Sequence, residues 1–198
     1  AGSSLEWMCR NLLNEDPVTL EQLASQAPPG ANGLTFLPYL SGERSPLWNP
    51  WASGAMLGLR LTNNSADFAR AVFEGLAFSV GHIADVMRGC GVEMQSVRLA
   101  GGLARSSLLG QIKADVLRVP VAPFVDHELT SQGLAAILAV ATGQAVDLVQ
   151  ASRRLNTIER WVEPQQSTRA AYRDAYERYR SASACLEPSY VSSMKPMI

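Results

Sequence analysis

Apolar positions recur with two different periods along this chain, and the alternation of those periods predicts its elements. Around the start, Leu5, Met8, Leu12 and Leu13 fall at helical spacing, with Ser3 or Ser4 placed to cap. A second short helix is expected near residues 20–25, ending at Pro28, Pro29 and Gly30. Residues 34–40 (LTFLPYL) read as a buried strand that Pro38 cuts short or places at an edge. A second strand is expected over 55–59. Between the two runs SGERSPLWNPWASG, a loop dense in Gly, Pro, Ser and Asn. Asn64 or Ser65 then caps a long helix to about Arg88, on which Phe68, Val72, Leu76, Val80, Ile83 and Met87 recur near the 3.6-residue period. Gly89 and Gly91 suit its end.

Strand, glycine turn and amphipathic helix follow in SVRLAGGLARSSLLGQIKADVLR. Residues 119–125 predict another strand, SQGLAAILAVATG a small-residue helix, and 165–185 a last helix with Tyr172, Tyr176 and Tyr179 on one face. The end from Glu187 has no periodicity and is expected to be loose. Strands alternating with helices indicate an α/β domain with a mixed sheet flanked by helices.

Composition narrows the function classes. In 198 residues the apolar share is 47% and the charged share 18%, so one folded domain with a real core is expected. A net charge of −1 gives no electrostatic case for nucleic acid or an anionic membrane surface. No apolar run nears the roughly 20 residues that span a bilayer, so a soluble chain is expected. Cys9, Cys90 and Cys185 form neither a CxxC pair nor a disulfide framework, which suits a reducing cytoplasm. The opening segment lacks the features of a signal peptide. It reads as a helix entered in mid-sequence, so a piece of a larger protein is expected.

The unit with most chemical content is Gly101-Gly102-Leu103-Ala104-Arg105-Ser106. A helix start offers unpaired N–H groups and a positive dipole end, and glycines let a flat ring or a phosphate approach the backbone. Ser106 can cap the helix or bond a ligand. On the local pattern alone, a tight strand-to-helix turn without a ligand is the first reading and a binding turn the second. Glu43 beside Arg44 reads as an ion pair that braces its loop, or as a pair that orients hydroxyls. Trp48 and Trp51 suit a sugar or the core equally. Glu74 in its apolar helix reads as a solvated or capped acid. Gly133 reads as a close-packing position. His82 and His127 are the only histidines and lie far from any cysteine, which disfavours zinc and a nucleophilic triad.

The order of the segments resembles the FGGY carbohydrate kinases. AGSSLEW, FLPYLSGERSPLWN with the later Gly54 and Gly58, RAVFEGLAFSV, LAGGLARSSLLGQIKADVLRVPV and ELTSQGLAAILAVATG come in the family's sequence over residues 1–143. The resemblance implies an actin-like, ribonuclease H-like ATPase domain, with residues 1–187 as the C-terminal nucleotide-binding domain and 188–198 as a tail. It implies ATP and Mg2+ as cofactors, the metal held mainly by an N-terminal kinase domain that is the expected partner. Gly102 and Ser106 are expected at the adenosine, Gly101 shapes the turn, and Gly2 and Glu6 match family positions that touch the nucleotide. Glycerol kinases carry glutamine where Glu6 stands. The acidic phosphate loop and the base that deprotonates the sugar belong to sequence ahead of this chain, so no catalytic residue and no metal ligand is expected here. Xylulose is the first expectation for the sugar and gluconate the second, on the phrase GERSPLWN. A non-catalytic module derived from a kinase half is the alternative. Apolar surface freed of its partner domain makes homodimerisation an expectation for the isolated chain.

Overall fold

A computed structural model describes residues 2–125 and 128–190. Among the described residues eleven helices and strands follow one another: α1 (Gly2–Met8), α2 (Pro17–Ser25), β1 (Thr35–Leu37), β2 (Ala55–Leu57), α3 (Ser65–Gly89), β3 (Val97–Leu99), α4 (Ser107–Leu117), β4 (Val121–Pro123), α5 (Leu129–Ala141), α6 (Leu148–Leu155) and α7 (Arg169–Leu186), with a π-helical turn at Cys9–Leu13 continuing α1.

Helix α3 organises the domain. Asn64 Oδ1 accepts from the N–H groups of Ala66 (2.9 Å) and Asp67 (3.2 Å), and Asp67 Oδ2 accepts from the Asn64 N–H (3.1 Å). This reciprocal cap fixes where the helix starts. Ala69, Val72, Phe73, Leu76, Ala77 and Phe78 are buried around it, together with β1, α2 and α7. At Gly75 a Cβ would stand 2.3 Å from the Phe36 carbonyl oxygen, so only glycine lets the helix rest on the β1 backbone. On α2 the cap is Asp16, which accepts from Val18 and Thr19, with Pro17 at the first helical position.

The expected mixture of strand senses is present in short pieces. β1 and β2 pair antiparallel, Phe36 opposite Met56, while β3 and β4 pair parallel, Arg98 opposite Ala122. Bridges from Val121 to Val162 and from Phe124 to Ile158 add an antiparallel neighbour to β4. Each strand has three residues, fewer than the apolar runs suggest.

α7 closes the core from the far side. Tyr172 and Tyr179 are buried, as the sequence face implies, and the Tyr39 and Tyr179 hydroxyls lie 2.8 Å apart. The loose end expected from Glu187 is held further than that: Glu187–Ser189 make a helical turn, and the Tyr190 hydroxyl donates to the Ser53 carbonyl at 3.2 Å. Residues 191–198 and His127 lie outside the described residues. No helix of the described residues is long and apolar enough to cross a membrane.

Candidate functional site

The glycine turn is built on a fixed strand and left open above. β3 is tied to β4 by the Val97 N–H to the Pro120 carbonyl (2.9 Å) and the Phe124 N–H to the Leu99 carbonyl (3.1 Å). Gly101 then takes φ +78°, a conformation that a side chain disfavours. A 3₁₀ turn, Gly102–Arg105, leads to Ser106, whose hydroxyl accepts from the Leu109 N–H at 3.1 Å and caps α4. Ala104 is buried and Leu103 packs on the core, which pins the turn from below. Above, Gly101 and Gly102 are exposed, and a Cβ on either meets no atom within 4 Å. The turn therefore has room for a ligand face.

The amide end of α4 differs from the sequence expectation of unpaired donors. Glu21 Oε1, delivered by α2, accepts from the Leu108 N–H (2.8 Å) and the Ser107 hydroxyl (3.1 Å). With Ser106 on Leu109, two backbone donors of the first turn are already engaged, and a carboxylate beside the helix start opposes an anion there. What stays open is the backbone of the glycines, which suits a neutral flat group.

Gly2 begins α1 and is exposed, with open space around it. Neither opening serine is a cap: Ser4 is buried and its hydroxyl donates to the Pro38 carbonyl at 3.1 Å, because the helix already includes Gly2. Glu6 is exposed and pairs with Arg10 at 2.6 Å. That cation sets a positive charge beside the acid. Leu5 and Met8 of α1 are members of the same apolar cluster on which Leu103 rests, so both patches are carried by one packed body.

The loop at residues 41–50 is braced, though by another route than the expected Glu43–Arg44 ion pair. Glu43 accepts from the N–H groups of Ser45 (2.9 Å) and Leu47 (2.8 Å), and its own backbone exchanges two hydrogen bonds with Asn49. An isolated pair of neighbouring surface charges would contribute little; two amides closing on a carboxylate fix the backbone. Trp48 is 80% exposed, so it does not cover the core.

Glu74 corrects the reading of a solvated acid. It is 1% exposed and accepts from the Gly30 N–H (2.8 Å) and Arg70 Nε (2.9 Å). Arg70 also bonds the Tyr172 hydroxyl, and Arg178 reaches the Gly30 carbonyl at 3.3 Å. Burial pushes the Glu74 carboxyl up to about 7, against the pull of the Gly30 N–H and Arg70. The signal available in sequence was the four-residue spacing of Arg70 and Glu74 inside an apolar helix. This network ties α3 to α7 and the Gly30 turn, and it holds the scaffold rather than the open turn.

Comparison with known proteins places the fold. The profile of the FGGY family of carbohydrate kinases, C-terminal domain, matches residues 1–142. A xylulose kinase of Staphylococcus epidermidis is 32% identical over 182 residues, covering 91% of this chain and 37% of that protein. A glycerol kinase of Thermus brockianus is 37% identical over 144 residues, covering 72% of this chain and 29% of its own length. The solved ligand-bound xylulose kinase of Lactobacillus acidophilus superposes with a TM-score of 0.86 at 27% identity, over 96% of this chain and 39% of that one. The gluconate kinase of the same organism gives 0.85. The chain thus spans less than two-fifths of the relatives it matches, and it carries the actin-like fold of their second half. It belongs to the FGGY family of carbohydrate kinases, as the C-terminal domain.

Proposed function

We propose that this chain is the nucleotide-side half of an ATP-dependent carbohydrate kinase that phosphorylates a sugar hydroxyl, with xylulose the first substrate and gluconate the second. The observation that carries the reading is the open Gly101–Gly102 turn over a pinned base. In this reading adenosine lies against Gly102 with Ser106 at its side, Gly101 sets the turn, and Gly2 and Glu6 make further nucleotide contacts. Absence of a Cβ lets the ring reach the backbone. Glu21 at the start of α4 favours a neutral ring there over a phosphate. The ion pair with Arg10 lets Glu6 stand near a nucleotide without presenting an uncompensated charge.

Phosphoryl transfer depends on positioning the reacting groups and on neutralising charge around the transferred phosphoryl. The base and the acidic loop for that task are assigned to the preceding domain, and the chain alone is expected to be inactive. In this reading Mg2+ is held mainly by the preceding domain, and no residue of this chain is named for it. ATP supplies the phosphoryl group; the share of this half is to hold its adenosine end. The preference for xylulose draws on the GERSPLWN loop and on the xylulose and gluconate kinases among the structural neighbours. A cytoplasmic setting follows from the same reading.

Calorimetry of the chain with adenosine tests the turn: weak binding is expected, lost in Gly102→Val, with the far-ultraviolet spectrum unchanged because the added side chain enters open space. Equal binding by that variant refutes the placement. The chain extended at its N-terminus, assayed with ATP and xylulose, gluconate or glycerol, tests the activity. Transfer to none of them favours the non-catalytic module.

A further inference from the structure

A second concave feature lies away from the glycine turn, between α1, α3 and the braced loop. It is a pocket of about 370 Å³ whose lining includes Ser3, Ser4, Tyr39, Ser41, Arg44 and Ser79. Its lining keeps several donors unengaged and includes one carboxylate, Glu43. Ser4 and Ser79 donate to the Pro38 and Leu76 carbonyls, but the hydroxyls of Ser3 and Ser41 make no hydrogen bond among the described residues. The two oxygens of Glu43 accept from the Ser45 and Leu47 amides, and its negative charge is a cost that an anion bound beside Arg44 has to meet. Arg44 makes no ion pair among the described residues.

The frame that presents Arg44 is fixed. The Glu43 N–H donates to the Asn49 carbonyl at 2.8 Å, and the Asn49 N–H donates back at 2.7 Å. At Gly42 the backbone has φ +79°, and a Cβ would stand 2.8 Å from the Pro50 carbonyl oxygen, so this close approach needs glycine. A guanidinium on a preset backbone beside two free hydroxyls is a donor set for an oxyanion with several oxygens, which a guanidinium can grip by its fork. A neutral polyol would use the hydroxyls and leave the cation without a partner.

We propose that this pocket is a subsite for a phosphoryl group, with Arg44 as its cation and Ser3 and Ser41 as hydroxyl donors. It uses none of the residues assigned to adenosine, so it stands or falls separately from that placement. The same chemistry could come from the polyphosphate end of a nucleotide or from a phosphorylated sugar.

The test is amide chemical-shift mapping of the chain with three probes: inorganic tripolyphosphate, xylulose 5-phosphate and unphosphorylated xylulose. One or both anions are expected to move the amides of Ser3 and of residues 41–45, and to bind at least tenfold more weakly to Arg44→Gln, an exposed change that leaves the fold intact. Ser41→Ala should weaken binding as well. A stronger response to tripolyphosphate assigns the site to the nucleotide, and to the sugar phosphate assigns it to the product. The proposal is overturned if neither anion moves these amides, if Arg44→Gln binds as tightly as the wild type, or if unphosphorylated xylulose does as well as its phosphate. Adenosine, added as a fourth probe, should shift residues 101–106 equally in both proteins; its failure to do so counts against the adenosine placement alone.

Discussion

Burial of the Glu74 carboxylate gives stability a pH dependence whose sign and size follow from the structure. One oxygen, Oε1, takes both the Gly30 N–H and Arg70 Nε, and Oε2 has no hydrogen-bond partner among the described residues. Desolvation therefore outweighs the two favourable contacts and raises the carboxyl from 4.5 to about 7. For a group whose folded value lies above its unfolded value, the stabilising contribution is complete below the unfolded value and is lost as pH rises through the folded one. The window is thus pH 4.5 to about 7. At about 1.4 kcal/mol per pH unit, the loss across it is about 3 kcal/mol. His82 contributes with the opposite sign, since burial and Arg180 hold its imidazole below the ordinary value. Comparison with Glu74→Gln cancels His82 and every other group common to both proteins. Urea unfolding of both proteins at several pH values gives the quantity needed, the difference between their unfolding free energies. That difference is expected to move by about 3 kcal/mol in favour of the glutamine variant from about pH 4.5 to about pH 8. A constant difference, or one moving in favour of the wild type, refutes the argument. It would mean that Arg70 and the Gly30 amide outweigh desolvation.

Three further outcomes are expected. Gly75→Ala should lower stability by about 2 kcal/mol or more in denaturant unfolding, because overpacking against the Phe36 carbonyl exceeds the helix-propensity gain of about 1 kcal/mol; an unchanged midpoint would refute the close approach. Glu21→Ala should cost about 1–2 kcal/mol by stripping the Leu108 N–H of its acceptor, and it should make added sulfate more stabilising than in the wild type. Equal sulfate responses would show that the α4 amide end is not freed. The exposed Leu134, Ile137, Val146 and Val149 of the α5–α6 region should drive self-association in sedimentation experiments, and a single monomeric species at all concentrations would count against it.

What the sequence disclosed about the fold was set by how local the signal is. Helix α3 was legible almost to the residue, 65–88 expected against Ser65–Gly89, because its cap lies within four residues and its period runs for about five turns. Ser106 as the cap of α4 was legible for the same reason. Strand lengths were not. Apolar runs of five to seven residues became strands of three, since a ladder continues only where a partner backbone runs beside it, and no single run encodes its partner. Helix α6 was passed over although Asp147 caps it and Leu148, Ala151 and Leu155 keep helical spacing. The short span of eight residues between two loops gave the period little room to show.

The backbone of the glycine turn was legible and its electrostatic surroundings were not, and two carboxylates show why. Nothing near Glu21 in sequence says that its oxygen will meet the amide of Leu108, 87 positions on. Nothing near Glu74 says that its oxygen will meet the amide of Gly30, 44 positions back. Glu74 read as a solvated or capped acid and Glu21 drew no reading, and both became acceptors for backbone donors that a distant segment could not satisfy alone. For Glu74 the consequence is scaffold stability. For Glu21 it is local charge: a carboxylate against the first turn of α4 opposes a phosphate there more than a neutral ring. A nucleotide seated on Gly102 would then direct its charge elsewhere. The Arg44 pocket, whose arginine makes no ion pair among the described residues, is the proposed place for that charge. A strong sulfate response in Glu21→Ala, with phosphoryl binding at Arg44 unchanged, would separate these two roles.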